Sequence, residues 1–220
     1  MTTRCIHYVT GVSVGVMSQP SAIAVIEQAS MRETGRAKIE ELRLRHLERL
    51  PLSASYPELT KRLRAIQDGL KEQEQSYRPD LLVDITGTGS SVIEFFKHED
   101  LRPQQVWITS GFGQSKVEHE KWRVSKKELV GPLLVLMHTD KFKIASGLEL
   151  VAPLKEELSR FRLDAPPANG ADIEAWRIGG SDDLVFATAL AVWHAQREIA
   201  SPKKPVQLPE RNYTAYSWMG

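Results

Sequence analysis

Cysteine is almost absent from this chain. Cys5 is the single example in 220 residues, which excludes an internal disulfide framework and any zinc site built on several thiolates, and points to a reducing compartment. Long apolar runs are also missing. No stretch approaches the roughly 18 consecutive apolar residues of a membrane span, and the first residues lack the charged segment, apolar core and small-residue cleavage site of a secretory signal. A cytoplasmic protein with no membrane partner is therefore expected. There is no excess of one charge, since 29 Lys and Arg against 28 Asp and Glu leave +1. Affinity for a polyanion would have to come from local clustering. No nucleotide-binding motif occurs, because Gly111-Phe112-Gly113-Gln114-Ser115-Lys116 has the wrong spacing for a Walker A loop.

What is present suits one globular domain with an ordinary core. Residues 1–200 read as that domain. Residues 201–220, with Pro202, Pro205, Pro209, Lys203 and Lys204, read as an extended tail whose Tyr213, Tyr216 and Trp218 either anchor it or lie in disordered chain.

Periodicity gives the elements. Over residues 6–16, Val12, Val14 and Val16 alternate with Gly11, Ser13 and Gly15, the pattern of a strand with one close-packed face. Residues 22–26 read as its short partner. Residues 38–50 mix helix-forming composition with strand-like alternation at Leu42-Arg43-Leu44-Arg45, and the closing Pro51 favours a strand. Leu59, Leu63, Ile66 and Leu70 mark one face of a helix over 56–75. A strand at 81–85, a helix at 90–97 and a strand at 105–109 then imply parallel pairing with right-handed crossovers. Residues 111–124 read as a mobile loop, and 126–137 as a helix despite Pro132. A helix over 148–163, a loop over 164–173 and a long apolar helix over 183–197 follow, the last with Ser181 or Asp182 as its N-cap.

Two acidic signatures carry the chemistry. Asp84 ends an apolar strand and opens Asp84-Ile85-Thr86-Gly87-Thr88-Gly89-Ser90, where an acid serves a metal or phosphate site or simply binds turn amides. Ser181-Asp182-Asp183 starts the last helix, where acids are favoured by the helix dipole in any case. Lys116, Lys121, Arg123, Lys126 and Lys127 form the best basic cluster, interleaved with Glu118, Glu120 and Glu128, and read equally as phosphate contacts or as a solvated surface. His7, His46, His98, His119, His138 and His194 show no ligand spacing.

Three antiparallel strands, a helix, a strand-helix-strand unit and further helices follow the order of a ribonuclease H-like α/β fold, a mixed sheet flanked by helices. Within that order the chain resembles the nuclease domain of phage terminase large subunits, in a stand-alone, prophage-type form. The matching residues are Gly11-Val12-Ser13-Val14-Gly15, Pro20-Ser21-Ala22-Ile23-Ala24-Val25, His46-Leu47-Glu48-Arg49-Leu50-Pro51, Asp84-Ile85-Thr86-Gly87-Thr88-Gly89, Trp122-Arg123-Val124-Ser125-Lys126-Lys127-Glu128-Leu129, and Trp176-Arg177 through Ser181-Asp182-Asp183-Leu184-Val185. The resemblance implies a DNA endonuclease using two Mg²⁺ or Mn²⁺ ions, with DNA as partner and an ATPase motor domain or other packaging proteins as possible associates. It makes Asp84 and Asp183 the catalytic metal ligands, with Asp182 the alternative to Asp183. The family's first-strand Asp is Ser13 here, a weak ligand without charge, so the implied acidic triad is incomplete. Gln19 and Ser181 likewise replace an Asp and a His that the family often carries. Two other readings remain: a degenerate prophage-derived domain that binds nucleic acid or protein without cleaving, and a phosphate-binding turn of the actin-like or sugar-kinase type at Asp84.

Overall fold

The computed structural model describes residues 3–16, 19–33, 36–74, 79–110, 113–118, 120–161 and 182–197. Eight strands form one sheet, β1 (Thr3–Ser13), β2 (Ala22–Glu33), β3 (Arg36–Arg49), β4 (Asp80–Asp84), β5 (Gln104–Thr109), β6 (Gln114–Glu118), β7 (Lys121–Ser125) and β8 (Phe142–Ile144). The helices are α1 (Tyr56–Glu74), α2 (Ile93–His98), α3 (Lys126–His138), α4 (Val151–Arg160) and α5 (Asp183–Arg197), with a 3-10 turn at Gly89–Val92 before α2. The spatial order of the strands is β6-β7-β5-β4-β1-β2-β3-β8. The first three are antiparallel, and β1, β4, β5 and β7 run parallel, as the ribonuclease H-like order requires.

Two cores lie on opposite faces of the sheet. One joins Val9, Ala24, Ile26, Leu82, Val106 and Ile108 to α3, α4 and α5. The other joins Val12, Ile23, Val25, Leu81 and Val83 to α1 and α2. Strands buried on both sides read as continuous apolar runs rather than alternating ones, which explains Ala22-Ile23-Ala24-Val25-Ile26. Helix α1 begins with a reciprocal cap: Glu58 N donates to Ser55 Oγ at 3.4 Å, and Ser55 N donates to Glu58 Oε2 at 2.7 Å. Helix α3 starts on Ser125, whose Oγ accepts from Glu128 N, and continues through Pro132.

Three expectations need correction. Gln114–Glu118 and Lys121–Ser125 pair as antiparallel strands where a loop is expected; every residue of the edge strand β6, Val117 included, is exposed, so no buried period marks it. Strand β2 extends to Glu33, well past the expected 22–26. Strand β8 was not expected at all; its three residues are too few to establish a period. The tail 201–220 and Trp176 lie outside the described residues.

Helix α5 is buried from Asp183 to Ala195, the all-round burial of a central helix. It lies directly on β1 because Gly11 has no side chain. A Cβ there would stand 2.1 Å from the Ala187 carbonyl oxygen and 2.9 Å from the Ala191 nitrogen. Near its C-terminus, His194 Nε2 and His7 Nε2 each lie 2.9 Å from Asp80 Oδ2, tying α5, β1 and β4 together. Burial pushes the Asp80 carboxyl upward, but the hydrogen bonds of His194 and His7 outweigh it and hold the group well below its ordinary value of 3.8. A depressed carboxylate contributes stability that is present above the unfolded value and lost as pH falls below it. Urea denaturation from pH 6 down to pH 3 should therefore show stability falling more steeply in the native chain than in Asp80→Asn; equal slopes would remove Asp80 from this role.

Candidate functional site

The register of the sheet sets one row of residues across four strand pairings. Ser13 is the parallel partner of Asp84 and the antiparallel partner of Ala22, which in turn pairs with Arg49, while Asp84 pairs with Val106. Strand alternation turns the whole row toward α5, since Ala22, Val106 and Leu47 all belong to that core. Ser13 and Asp84 thus sit side by side, about 4.8 Å apart in the strand-to-strand direction. They are 4% and 2% exposed.

Helix α5 brings the second acid to the same end. Its C-terminal His194 meets β1 and β4 near their starts, and Ala187 passes over Gly11, so the helix runs antiparallel to β1 and its first residue, Asp183, comes to the Ser13 end. Asp183 is 5% exposed. Asp182 is half-buried and precedes the helix, its carbonyl accepting the Phe186 amide at 2.9 Å. Arg49, which lies on the row, binds Asp183.

That pairing is the main feature missed by the sequence reading. Arg49 Nε and Nη2 donate to Asp183 Oδ2 and Oδ1 at 2.7 and 3.1 Å, the bidentate fork that guanidinium and carboxylate geometry favours. Arg49 Nη2 also donates to Glu157 Oε1. Glu157, on α4, is 3% exposed and its Oε2 accepts the Leu184 and Val185 amides at 3.1 and 3.2 Å, capping α5 from outside the helix. Burial and the neighbouring Asp183 push the Glu157 carboxyl up to about 7, against the pull of Arg49. Glu157 is not singled out in the sequence reading. The available signal was its spacing, as Glu157 falls three residues after the buried Leu154.

Asp84 is engaged locally. Its Oδ1 accepts the Thr86 amide at 2.8 Å and the Thr86 hydroxyl, and Thr86 Oγ1 accepts from the Ile108 amide at 2.8 Å. The carboxylate therefore shapes the turn after β4 and fixes it to β5, the turn role that the sequence left open. Gly89, at φ +63°, completes that turn.

The basic cluster divides. Lys126 is buried with its ammonium 4.2 Å from the Phe161 ring centroid, Lys116 stands over Trp122, Lys121 pairs with Glu118, and Arg123 is exposed on the opposite face from Trp122. It is not one phosphate-binding surface. His7 and His194, distant in sequence, meet at Asp80, a convergence that no spacing rule could reveal.

No protein-family model and no curated protein sequence matches the chain. Solved structures do. The large terminase nuclease from thermophilic phage G20c superposes with a TM-score of 0.53 at 19% identity, covering 84% of this chain and 81% of that one. The human cytomegalovirus terminase nuclease domain, in a manganese-soaked crystal, gives 0.54 at 11% identity, over 92% and 89%. The chain has the terminase nuclease fold. It is a ribonuclease H-like mixed sheet flanked by helices.

A terminase-type fold implies divalent ions, and the donors here can be tested for them. Two hard cations need several charged oxygens to hold them. Ser13 offers a neutral hydroxyl, Asp183 is already neutralised by Arg49, and among the described residues no three of His, Cys, Asp and Glu are arranged to hold a metal ion. The residues present do not fit a two-ion centre. Removing Arg49 would leave Asp183 and Glu157 as buried neighbouring carboxylates. Arg49→Ala is expected to cost roughly 2–4 kcal/mol in urea denaturation, with part of the loss recovered in Arg49→Ala/Glu157→Gln; no recovery would show that the two carboxylates do not repel.

Proposed function

We propose that this chain is a terminase-type nuclease domain that engages DNA but whose inherited two-ion cleavage centre is disabled, with Arg49 holding the charge balance that a divalent ion would otherwise supply. The observation that carries this reading is the bidentate Arg49–Asp183 pair lying on the same row as Ser13 and Asp84. In a Mg²⁺ or Mn²⁺ centre of this type Asp84, Asp183 and a first-strand acid would hold the ions, and the ions would supply an activated water and a stabilised leaving oxygen. In this chain the residues do other work. Asp84 orders the turn after β4, Asp183 and Glu157 hold Arg49, and Ser13 fills a buried strand position without charge. DNA is the partner that suits the fold. An ATPase motor domain or another packaging protein is a further candidate, because the chain has no Walker A motif of its own.

Two changes should reopen the centre. Ser13→Asp supplies the missing charge, and Arg49→Ala frees Asp183. The double variant is expected to gain several degrees in melting temperature in roughly 5 mM Mn²⁺, as a ligand bound only by the folded state requires, and to nick supercoiled plasmid. The native chain should do neither. Plasmid nicking by the native chain that disappears in Asp84→Ala would overturn the reading in favour of a working metal-dependent endonuclease.

A further inference from the structure

The core between the sheet and α1 and α2 draws on β1, β2 and β4 and stops there. Beyond it, among the described residues, no core cluster continues over the same face of β5, β7 and β6. Trp107 lies on this side, because Val106 and Ile108 face the other core, and it is 38% exposed. Its register partner on β7 is Arg123, and the partner of Arg123 on the edge strand is Ser115, so Trp107, Arg123 and Ser115 form one cross-strand row. Arg123 and Ser115 are both exposed. On the next row Gln105 pairs with Lys121, and Gln105 Oε1 has no hydrogen-bond donor. Gln105 also lines a cleft of about 350 Å³ together with Lys97, Arg102 and Pro103. The acids on this side include Glu118, which is held by Lys121, and Asp100 and Glu120, which line the cleft, the Glu120 carbonyl accepting the Gln105 backbone amide at 2.7 Å.

A large flat aromatic ring left in water costs free energy unless something covers it. An unpaired guanidinium one strand away selects an anionic partner. A nucleobase offers a π-face and, in most cases, an amino or imino donor, while the phosphate that follows it supplies the anion. Duplex DNA hides its base faces, whereas a single strand presents them. We propose that this β5–β7–β6 face is a single-stranded nucleic-acid site, with a base stacked on Trp107 and the adjoining phosphate bound by Arg123. The occupant's class follows from the chemistry of this face. The inference therefore stands apart from the acid site on the other side of the sheet, and no cleavage or metal readout bears on it.

The test is fluorescence anisotropy with a labelled oligothymidine of roughly 16 nucleotides on the full chain. Trp107→Ala should weaken binding roughly 5- to 100-fold, in line with the loss of one base–aromatic stack, and Trp107→Phe should retain most of the affinity. Arg123→Gln should weaken binding and lower the slope of log affinity against log salt by about 0.7. Both positions changed are exposed, and circular dichroism verifies that the variants fold. The proposal is overturned if the native chain does not bind the oligonucleotide, or if Trp107→Ala and Arg123→Gln both leave its affinity unchanged. It is equally overturned if duplex competes better than single strand, or if the variants alter only self-association through the edge strand β6, measured by light scattering.

Discussion

The contact between α5 and β1 organises the molecule. Helix α5 can lie flat on the sheet only because Gly11 presents hydrogen where any other residue would drive a carbon into the Ala187 carbonyl. From that point of closest approach the helix reaches both ends of the sheet. Toward its C-terminus it delivers His194 to Asp80 and its Ala195 carbonyl to the Gln28 side-chain amide, which donates to it. Toward its N-terminus it delivers Asp183 to Arg49 and its own first amides to Glu157. A shift of the helix along β1 would break both polar clusters at once, so the packing fixes the electrostatics.

The Arg49, Asp183 and Glu157 cluster joins β3, α4 and α5 through one guanidinium. Three groups that would repel or be stranded singly satisfy one another. The guanidinium spans two carboxylates, one carboxylate caps a helix, and the raised affinity of Glu157 for its proton relieves what repulsion remains. Burial makes this arrangement costly to assemble and costlier to interrupt at Arg49, since removing the guanidinium leaves two neighbouring carboxylates without their partner in a low-dielectric setting.

Much of the fold was legible because its signals are local. Leu59, Leu63, Ile66 and Leu70 announce α1, the valines of β1 announce a strand, and the order of elements points to the mixed sheet found here. The candidate site was half legible. Asp84 and Asp183 stand out as acids at element ends, and Ser13 as the missing charge. What stayed hidden depends on contacts between residues far apart in the chain. Arg49 and Asp183 are separated by 134 positions, and His194 and Asp80 by 114. The hairpin at β6 and β7 was hidden for a different reason. An edge strand with every side chain in water has no apolar period to detect, and its pairing is set by backbone hydrogen bonds that composition does not encode.

The pairing of β2 with β3 slips by one residue between Val25 and Ile26. His46 pairs with Val25 and Leu44 with Ile26, which leaves Arg45 as an extra residue on β3. The slip inverts side-chain parity along the rest of the strand. Leu42 and Leu44 face α5 at even positions, whereas Leu47 and Arg49 face it at odd ones. One inserted residue thereby decides on which side of the sheet Arg49 emerges. In a sheet of uniform register the same arginine would point toward α1, where Glu48 and Arg62 already pair, and Asp183 would lose its bidentate partner. The charge state of the row through Ser13 and Asp84 is thus a matter of counting along a neighbouring strand, and a single-residue insertion or deletion in β3 is enough to change it.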